Sequence, residues 1–327
     1  MDSLAAERRI RAYVCETPLR LSRALGESTR TRVLLKLENL QETGSFKLRG
    51  AANKLLLVPK EQAARGVVAA STGNHALAVA SMGRKLRIPV EIFVSETIHP
   101  LKRARIESLQ AHVNTVQGDA LHAELAARRA ANDSGRPYVS PYNDADVIAG
   151  QGSVAVEMLR QLAETAAGRL DAVFVAVGGG GLVGGIGTYL KRVSPGTEVI
   201  GCWPENSPAL HASMQAGAIV DVPEKPTFST STAGGVEPGA ITLEICQNVV
   251  DRSALVSEDD LLDAARRVLR EDDELIEGAA GVAVAAFLES ADRYAGKTVA
   301  IVVCGGNVDP GFEAKLRATE PQAALNP

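Results

Sequence analysis

Asp171-Ala172-Val173-Phe174-Val175-Ala176-Val177-Gly178-Gly179-Gly180-Gly181-Leu182 opens as an apolar run and ends in four glycines. A run this short does not make an isolated helix; bounded by turn residues, it reads as a strand buried on both faces. The segment 182–193 that follows reads as a helix. Consecutive glycines cost backbone entropy, so they persist where the chain needs unusual dihedrals or a close approach to a ligand. A strand, a glycine turn and a helix N-terminus in succession present free N–H groups and a partial positive charge, which suits a phosphate. Three readings of the run stay open at this point. It is a tight turn that binds nothing, a phosphate cradle, or a G-x-G-x-x-G dinucleotide site through Gly179, Gly181 and Gly184, with Glu205 after a later strand.

The same alternation covers the chain in both directions. Segments 32–40, 66–71, 90–94, 113–117, 198–202 and 298–304 read as further strands. Helical patterns run through Ala51, Leu55 and Leu56, and over 74–87, 101–109 and 120–131. Strands alternating with helices imply crossover connections, hence an α/β fold of mainly parallel sheets flanked by helices. Ligands of such sheets gather beyond the carboxyl ends of the strands, where Gly, Ser, Thr and Asn cluster in this chain. The polar stretch 132–146 is a candidate crossing between two domains.

The 327 residues suffice for two ordinary domains or one large α/β unit. Apolar residues make up 46% and charged ones 23%, the balance of a globular protein with a substantial core. A net charge of −4 with interspersed signs argues against a nucleic-acid footprint or a polybasic membrane patch. No apolar stretch approaches the ~18 residues of a membrane span, and residues 1–9 are charged rather than signal-like. Cys15, Cys202, Cys246 and Cys304 fit neither a zinc spacing nor a disulfide framework. A reduced, cytoplasmic location is expected, with no nucleic-acid, membrane or metal partner.

Thr43-Gly44-Ser45-Phe46-Lys47-Leu48-Arg49-Gly50 lies at another junction of strand and helix. A lone lysine is by default a surface lysine, but a loop after a parallel strand is functional territory. Ser45 reads as the N-cap, and the helix terminus with Arg49 as the cause of a lowered amine pKa. Ser71-Thr72-Gly73-Asn74-His75 repeats the arrangement: a cap by Ser71 or Thr72, and an anion site for a substrate carboxylate. His75 reads as a packed histidine rather than a base.

Five motifs now stand in order: Ser45 to Ala51, Ser71 to His75, Val147-Ile148-Ala149-Gly150-Gln151-Gly152, the tetraglycine run, and Cys304-Gly305-Gly306-Asn307-Val308-Asp309. Together they resemble the threonine dehydratase and serine racemase group of fold-type-II pyridoxal phosphate enzymes, over nearly the whole chain. The resemblance implies a two-domain fold like that of the tryptophan synthase β subunit. Residues 1–52 with 145–327 would form the large cofactor-binding domain, and 53–144 a small mobile one.

It implies pyridoxal 5'-phosphate carried on Lys47, which also moves protons at the substrate α-carbon. Phe46 packs against the ring, Asn74 bonds its hydroxyl, and Gly178, Gly179, Gly180, Gly181 and Leu182 hold the phosphate. Cys304 faces the pyridine nitrogen, although it reads equally as a buried structural thiol. Glu277 lies near the ring or caps the helix after it. Ser71, Thr72, Gly73, Asn74 and His75 line the substrate carboxylate, with Thr72 also a catalytic candidate on the second face of the α-carbon. The implied reaction is β-elimination from an amino-acid substrate of the threonine or serine type, in a homodimer; racemisation is the alternative.

Where serine racemases carry serine, this chain has Thr72. Trp203 stands where some relatives have a cation-binding glutamate, so no metal is expected. Ser140-Pro141-Tyr142 replaces a usual His-Pro, and Ser231 to Gly239 departs from an Ala-Asp-Gly pattern. These departures are similar to the branch with hydroxyectoine-utilisation dehydratases. The chain ends soon after the Cys304 motif, so feedback inhibition by isoleucine is not expected. A nicotinamide enzyme and a non-catalytic cofactor-binding protein are the competing readings from other classes.

Overall fold

The computed structural model describes residues 2–118, 120–165 and 168–318. Two sheets organise them. The larger is built from β1 (Leu19–Leu21), β2 (Arg32–Leu37), β6 (Ala172–Ala176), β7 (Glu198–Pro204), β8 (Arg252–Val256) and β9 (Thr298–Val303), after the smaller sheet's β3 (Val67–Ala70), β4 (Val90–Ser95) and β5 (His112–Val116) in chain order where these intervene. Their spatial orders are β1-β2-β9-β6-β7-β8 and β3-β4-β5. Every pairing is parallel except that of β1 with β2.

Burial follows position in the sheet. The central strands β9 and β6 are buried at every residue, as their unbroken apolar runs require, whereas the edge strand β8 alternates. The apolar helix Gly278–Glu289 is buried from Gly278 to Phe287 against the large sheet. There Phe174 meets Phe287 and Tyr294 edge-on, with ring centroids 5.6 and 5.4 Å apart. A second core lies under the small sheet, around Val67, Ala69, Ile92 and Met82. The stretch 135–144 leads back to the large sheet: Val68 pairs with Tyr138, and Asp144 then caps the helix Ala145–Ala163.

The Gly150-Gln151-Gly152 motif has its explanation in that helix. A Cβ on Gly150 would come within 2.5 Å of the Arg49 carbonyl oxygen, so the helices Lys47–Leu57 and Ala145–Ala163 touch backbone to backbone. On the other side, a Cβ on Gly185 would meet the Ile148 carbonyl and come within 2.6 Å of the Gly152 nitrogen. The motif therefore serves packing, and fixes the Lys47 helix against the glycine-turn helix Gly181–Val193. Gly185→Ala should lower unfolding free energy by about 1–3 kcal/mol, read from the urea midpoint at unchanged m-value. An unchanged midpoint would contradict this contact.

Candidate active site

Strand order brings the distant motifs together. β2 and β6 flank β9, with Leu37 opposite Val303 and Phe174 opposite Ile301. The loops after these three strands carry Lys47, Cys304 and the glycine turn, so all three emerge side by side at one sheet edge. Ser45 pairs with Gly305, and the Phe46 N–H donates to the Cys304 carbonyl at 3.1 Å. The loop after β3 faces them from the small sheet. Between the two sheets lies a cavity of about 710 Å³, lined by Lys47, Thr72, Asn74, Gly180, Glu277 and Cys304 among others.

Lys47 begins its helix, and its Nζ donates to the Pro141 carbonyl at 2.7 Å, 5.2 Å from the Phe46 ring centroid. The side chain is half-buried because it borders the cavity. Burial lowers its pKa to about 8; Glu124, Cys304 and Glu277 oppose that shift. Two expectations from the sequence change here. Phe46, not Ser45, occupies the cap, and the Ser45 hydroxyl is buried without a partner among the described residues. Arg49 does not act on the amine, since its guanidinium turns away to Glu38 (2.7 Å) and Glu157 (2.8 Å).

The glycine turn is wedged as well as bent. Gly180 has φ +85°, the left-handed region that favours glycine, and caps the helix Gly181–Val193. A Cβ on Gly179 would enter the Tyr142 ring, and one on Gly178 would come within 2.9 Å of the Thr232 backbone. Gly184, the last glycine of the G-x-G-x-x-G match, sits within the helix against Ile245.

On the small-sheet side, Gly73 caps the helix Asn74–Leu86, and the Ser71 Oγ accepts from the Gly73 N–H at 3.1 Å. Neither Ser71 nor Thr72 is the cap; both line the cavity with Gly73. His75 is buried, with Nε2 2.8 Å from the Val139 carbonyl, and burial drives its pKa down to about 3. It is a neutral, packed histidine. Asn74 is tied from both ends: its Nδ2 donates to both Glu277 oxygens (3.1 and 3.0 Å), and its Oδ1 accepts from Asn307 at 2.7 Å.

Glu277 occupies the cap of the helix Gly278–Glu289 without bonding that helix through its side chain. Its carboxylate instead takes bonds from Asn74 and, at 2.6 Å, from Ser231, and burial raises its pKa. The Cys304 Sγ lies 4.0 Å from Glu277, and burial together with that neighbour pushes the thiol pKa well up. Cys304 therefore stays a neutral thiol.

Sequence reasoning did not single out Glu124, which lines the same cavity from the helix Ala120–Ser134. An acidic residue on an alternating helix reads as solvent-facing, and only the folding of the small sheet over the cavity turns it inward. Tyr142 and Ser231 were marked only as members of departing segments; the structure places both on the cavity wall.

The comparisons agree with this geometry. The family described as "Pyridoxal-phosphate dependent enzyme" matches residues 10–305, and the chain belongs to it. The L-threonine ammonia-lyase of Thermotoga maritima is 39% identical over 94% of this chain and 75% of its own length. The L-threo-3-hydroxyaspartate ammonia-lyase of Saccharomyces cerevisiae is 34% identical over 94% and 93%. Among solved structures, maize serine racemase superposes with a TM-score of 0.88 at 27% identity, covering 96% of this chain and 94% of that one. The protein is a fold-type-II enzyme of the threonine dehydratase and serine racemase group, with pyridoxal 5'-phosphate as its cofactor.

The residues present fit that group. An amine of lowered pKa faces the cavity, and a left-handed glycine turn opens a thirteen-residue helix whose first N–H groups lack intrahelical acceptors, which suits a phosphate. A neutral thiol and a buried carboxylate border the remaining wall. An aldehyde adds only to a neutral amine, so cofactor uptake by the apoprotein should rise with pH through about 8, below the ordinary lysine range. Visible absorbance of the loaded protein measures this, and Lys47→Ala should show no such band. A midpoint in the ordinary lysine range would contradict the burial of the amine.

Proposed function

We propose that this lyase acts on an L-β-hydroxy-α-amino acid of the threonine or serine type, releasing a 2-oxo acid and ammonia. The observation that carries the reading is the Lys47 amine, lowered to about 8 and set in one cavity with two anion-ready helix starts. When bound, the cofactor supplies an electron sink for the substrate α-carbon. Gly178 to Gly181 and the Leu182 N–H would hold its phosphate, and Phe46, Asn74 and Glu277, which line the same cavity, would hold its ring.

Ser71, Thr72, Gly73 and the start of the Asn74 helix take the substrate carboxylate, which fixes the α-carbon near Lys47. Once the substrate amine takes its place on the cofactor, the freed Lys47 amine, partly neutral near pH 8, would remove the α-proton, and the β-hydroxyl would take up a proton and leave as water. Cys304, a neutral thiol, would offer the pyridine nitrogen an uncharged partner, which would favour loss of a β-substituent. The enamine released then hydrolyses in water to the 2-oxo acid and ammonia. His75, pinned to Val139, positions the loop and moves no proton.

In this reading residues 53–144, which carry the small sheet, move as a unit against 1–52 and 145–327. A homodimer in the cytoplasm belongs to the same proposal and rests on the family resemblance. A second reading, racemisation, draws on Thr72, whose residue lines the cavity that Lys47 enters.

Loaded enzyme given serine, threonine, phenylserine and 3-hydroxyaspartate should release 2-oxo acid and ammonia in equal amounts from at least one. Lys47→Ala should lower that rate by about 10²–10⁴. Interconversion of enantiomers without ammonia, abolished by Thr72→Ala, would favour the racemase instead.

A further inference from the structure

We infer that Tyr142 is a positioning residue for the phosphate cradle: its ring braces the glycine turn and so sets how strongly the site prefers a phosphorylated aldehyde to one without phosphate. This role belongs to cofactor selection and holds whichever amino acid the enzyme consumes.

Two of the four glycines in the turn press on this one residue. Tyr142 is buried, and a Cβ on Gly179 would come within 2.3 Å of its Cγ. A Cβ on Gly181 would lie 3.1 Å from the Tyr142 Cα and 3.2 Å from its Cβ. Elsewhere along the turn a Cβ on Gly178 would meet the Thr232 backbone, and one on Gly180 would meet Leu210, Thr242 and Cys246. Leu210, Thr242 and Cys246 stand outside the cavity lining, whereas Tyr142 borders the cavity together with the glycines it supports.

The ring is itself anchored at both ends. Its hydroxyl accepts from the Glu237 N–H at 2.9 Å. At the backbone, the Ser140 Oγ accepts from the N–H groups of Tyr142 (3.4 Å) and Asn143 (2.9 Å), and the Asn143 Oδ1 accepts from the Ile241 N–H at 2.9 Å. One residue earlier, the Pro141 carbonyl accepts from the Lys47 Nζ at 2.7 Å. Adjacent residues therefore touch both the amine and the turn. Backbone N–H groups hold an anion best when they are aimed before it arrives. Glycines alone leave that aim loose, and a rigid ring with two torsions fixes it at little entropic cost. Burial raises the phenol pKa, so no phenolate charge opposes an anion in the turn. The Ser140-Pro141-Tyr142 segment thus bears on the cofactor.

The test measures binding of two aldehydes to the apoprotein by visible absorbance. One is pyridoxal 5'-phosphate; the other, 5'-deoxypyridoxal, keeps the ring and aldehyde but lacks the phosphate. Wild type should strongly prefer the first. Tyr142→Leu, which removes the flat ring, should lower the affinity ratio of the first to the second by about tenfold or more. Tyr142→Phe keeps the ring and loses only the bond to Glu237, so its ratio should stay within about threefold of wild type. Tyr142→Met should behave as the leucine variant does, and covers the case of a poorly folded leucine variant. A tyrosine that only stabilises the fold would weaken both aldehydes alike, and an unmoved ratio in Tyr142→Leu and Tyr142→Met would overturn the inference. A loss in Tyr142→Phe as large as in Tyr142→Leu would also overturn it, because the hydroxyl rather than the ring would then hold the turn. The ratio is read without turnover, so failure of the proposed elimination leaves this result standing.

Discussion

Arg49, sealed between Glu38 and Glu157, sets the direction in which Lys47 points. The two residues are two positions apart on one helix, about 200° around its axis, so holding one inward on the charge cluster turns the other toward the cavity. The cluster is completely buried and includes Lys36, whose Nζ lies 2.6 Å from Glu157 and donates to the Thr17 carbonyl at 2.6 Å. It joins the N-terminal segment, β2, the Lys47 helix and the helix Ala145–Ala163. Such a cluster adds little net stability compared with apolar packing, but removing one partner strands a buried charge, a loss of about 3–5 kcal/mol. It is a device for orientation.

A second constraint closes the site from the other sheet. Asn74 to Glu277, Arg105 to Asn307 (3.2 Å) and Arg128 to Glu237 all join the small sheet and its helices to the large-sheet side. These contacts are polar. Lys47, the glycine turn and Cys304 reach the cavity from the large-sheet side, and the loop 71–75 and Glu124 from the small-sheet side.

Much of this was legible in the sequence because it rests on local signals. The apolar run before Gly178 reads as a central strand, and β6 is one. The glycine turn and the positions of Lys47, Thr72 and Cys304 at strand ends followed from the same rule. What failed was the detail of capping. Ser45 and Ser71 have the right residue type for an N-cap, yet the chain continues one or two residues before turning helical, and tertiary contacts claim their surroundings. Arg49 was misjudged because its partners Glu38 and Glu157 are brought to it only by the fold. Glu124 was invisible for the same reason: its inward direction depends on how the small sheet sits over the large one.

The account depends on Lys47 being the residue that carries the cofactor. Borohydride reduction of the loaded enzyme, followed by proteolysis and mass spectrometry, tests that directly. The account predicts a single cofactor-modified peptide containing Lys47. Modification centred on another lysine, with Lys47 recovered unmodified, would contradict it.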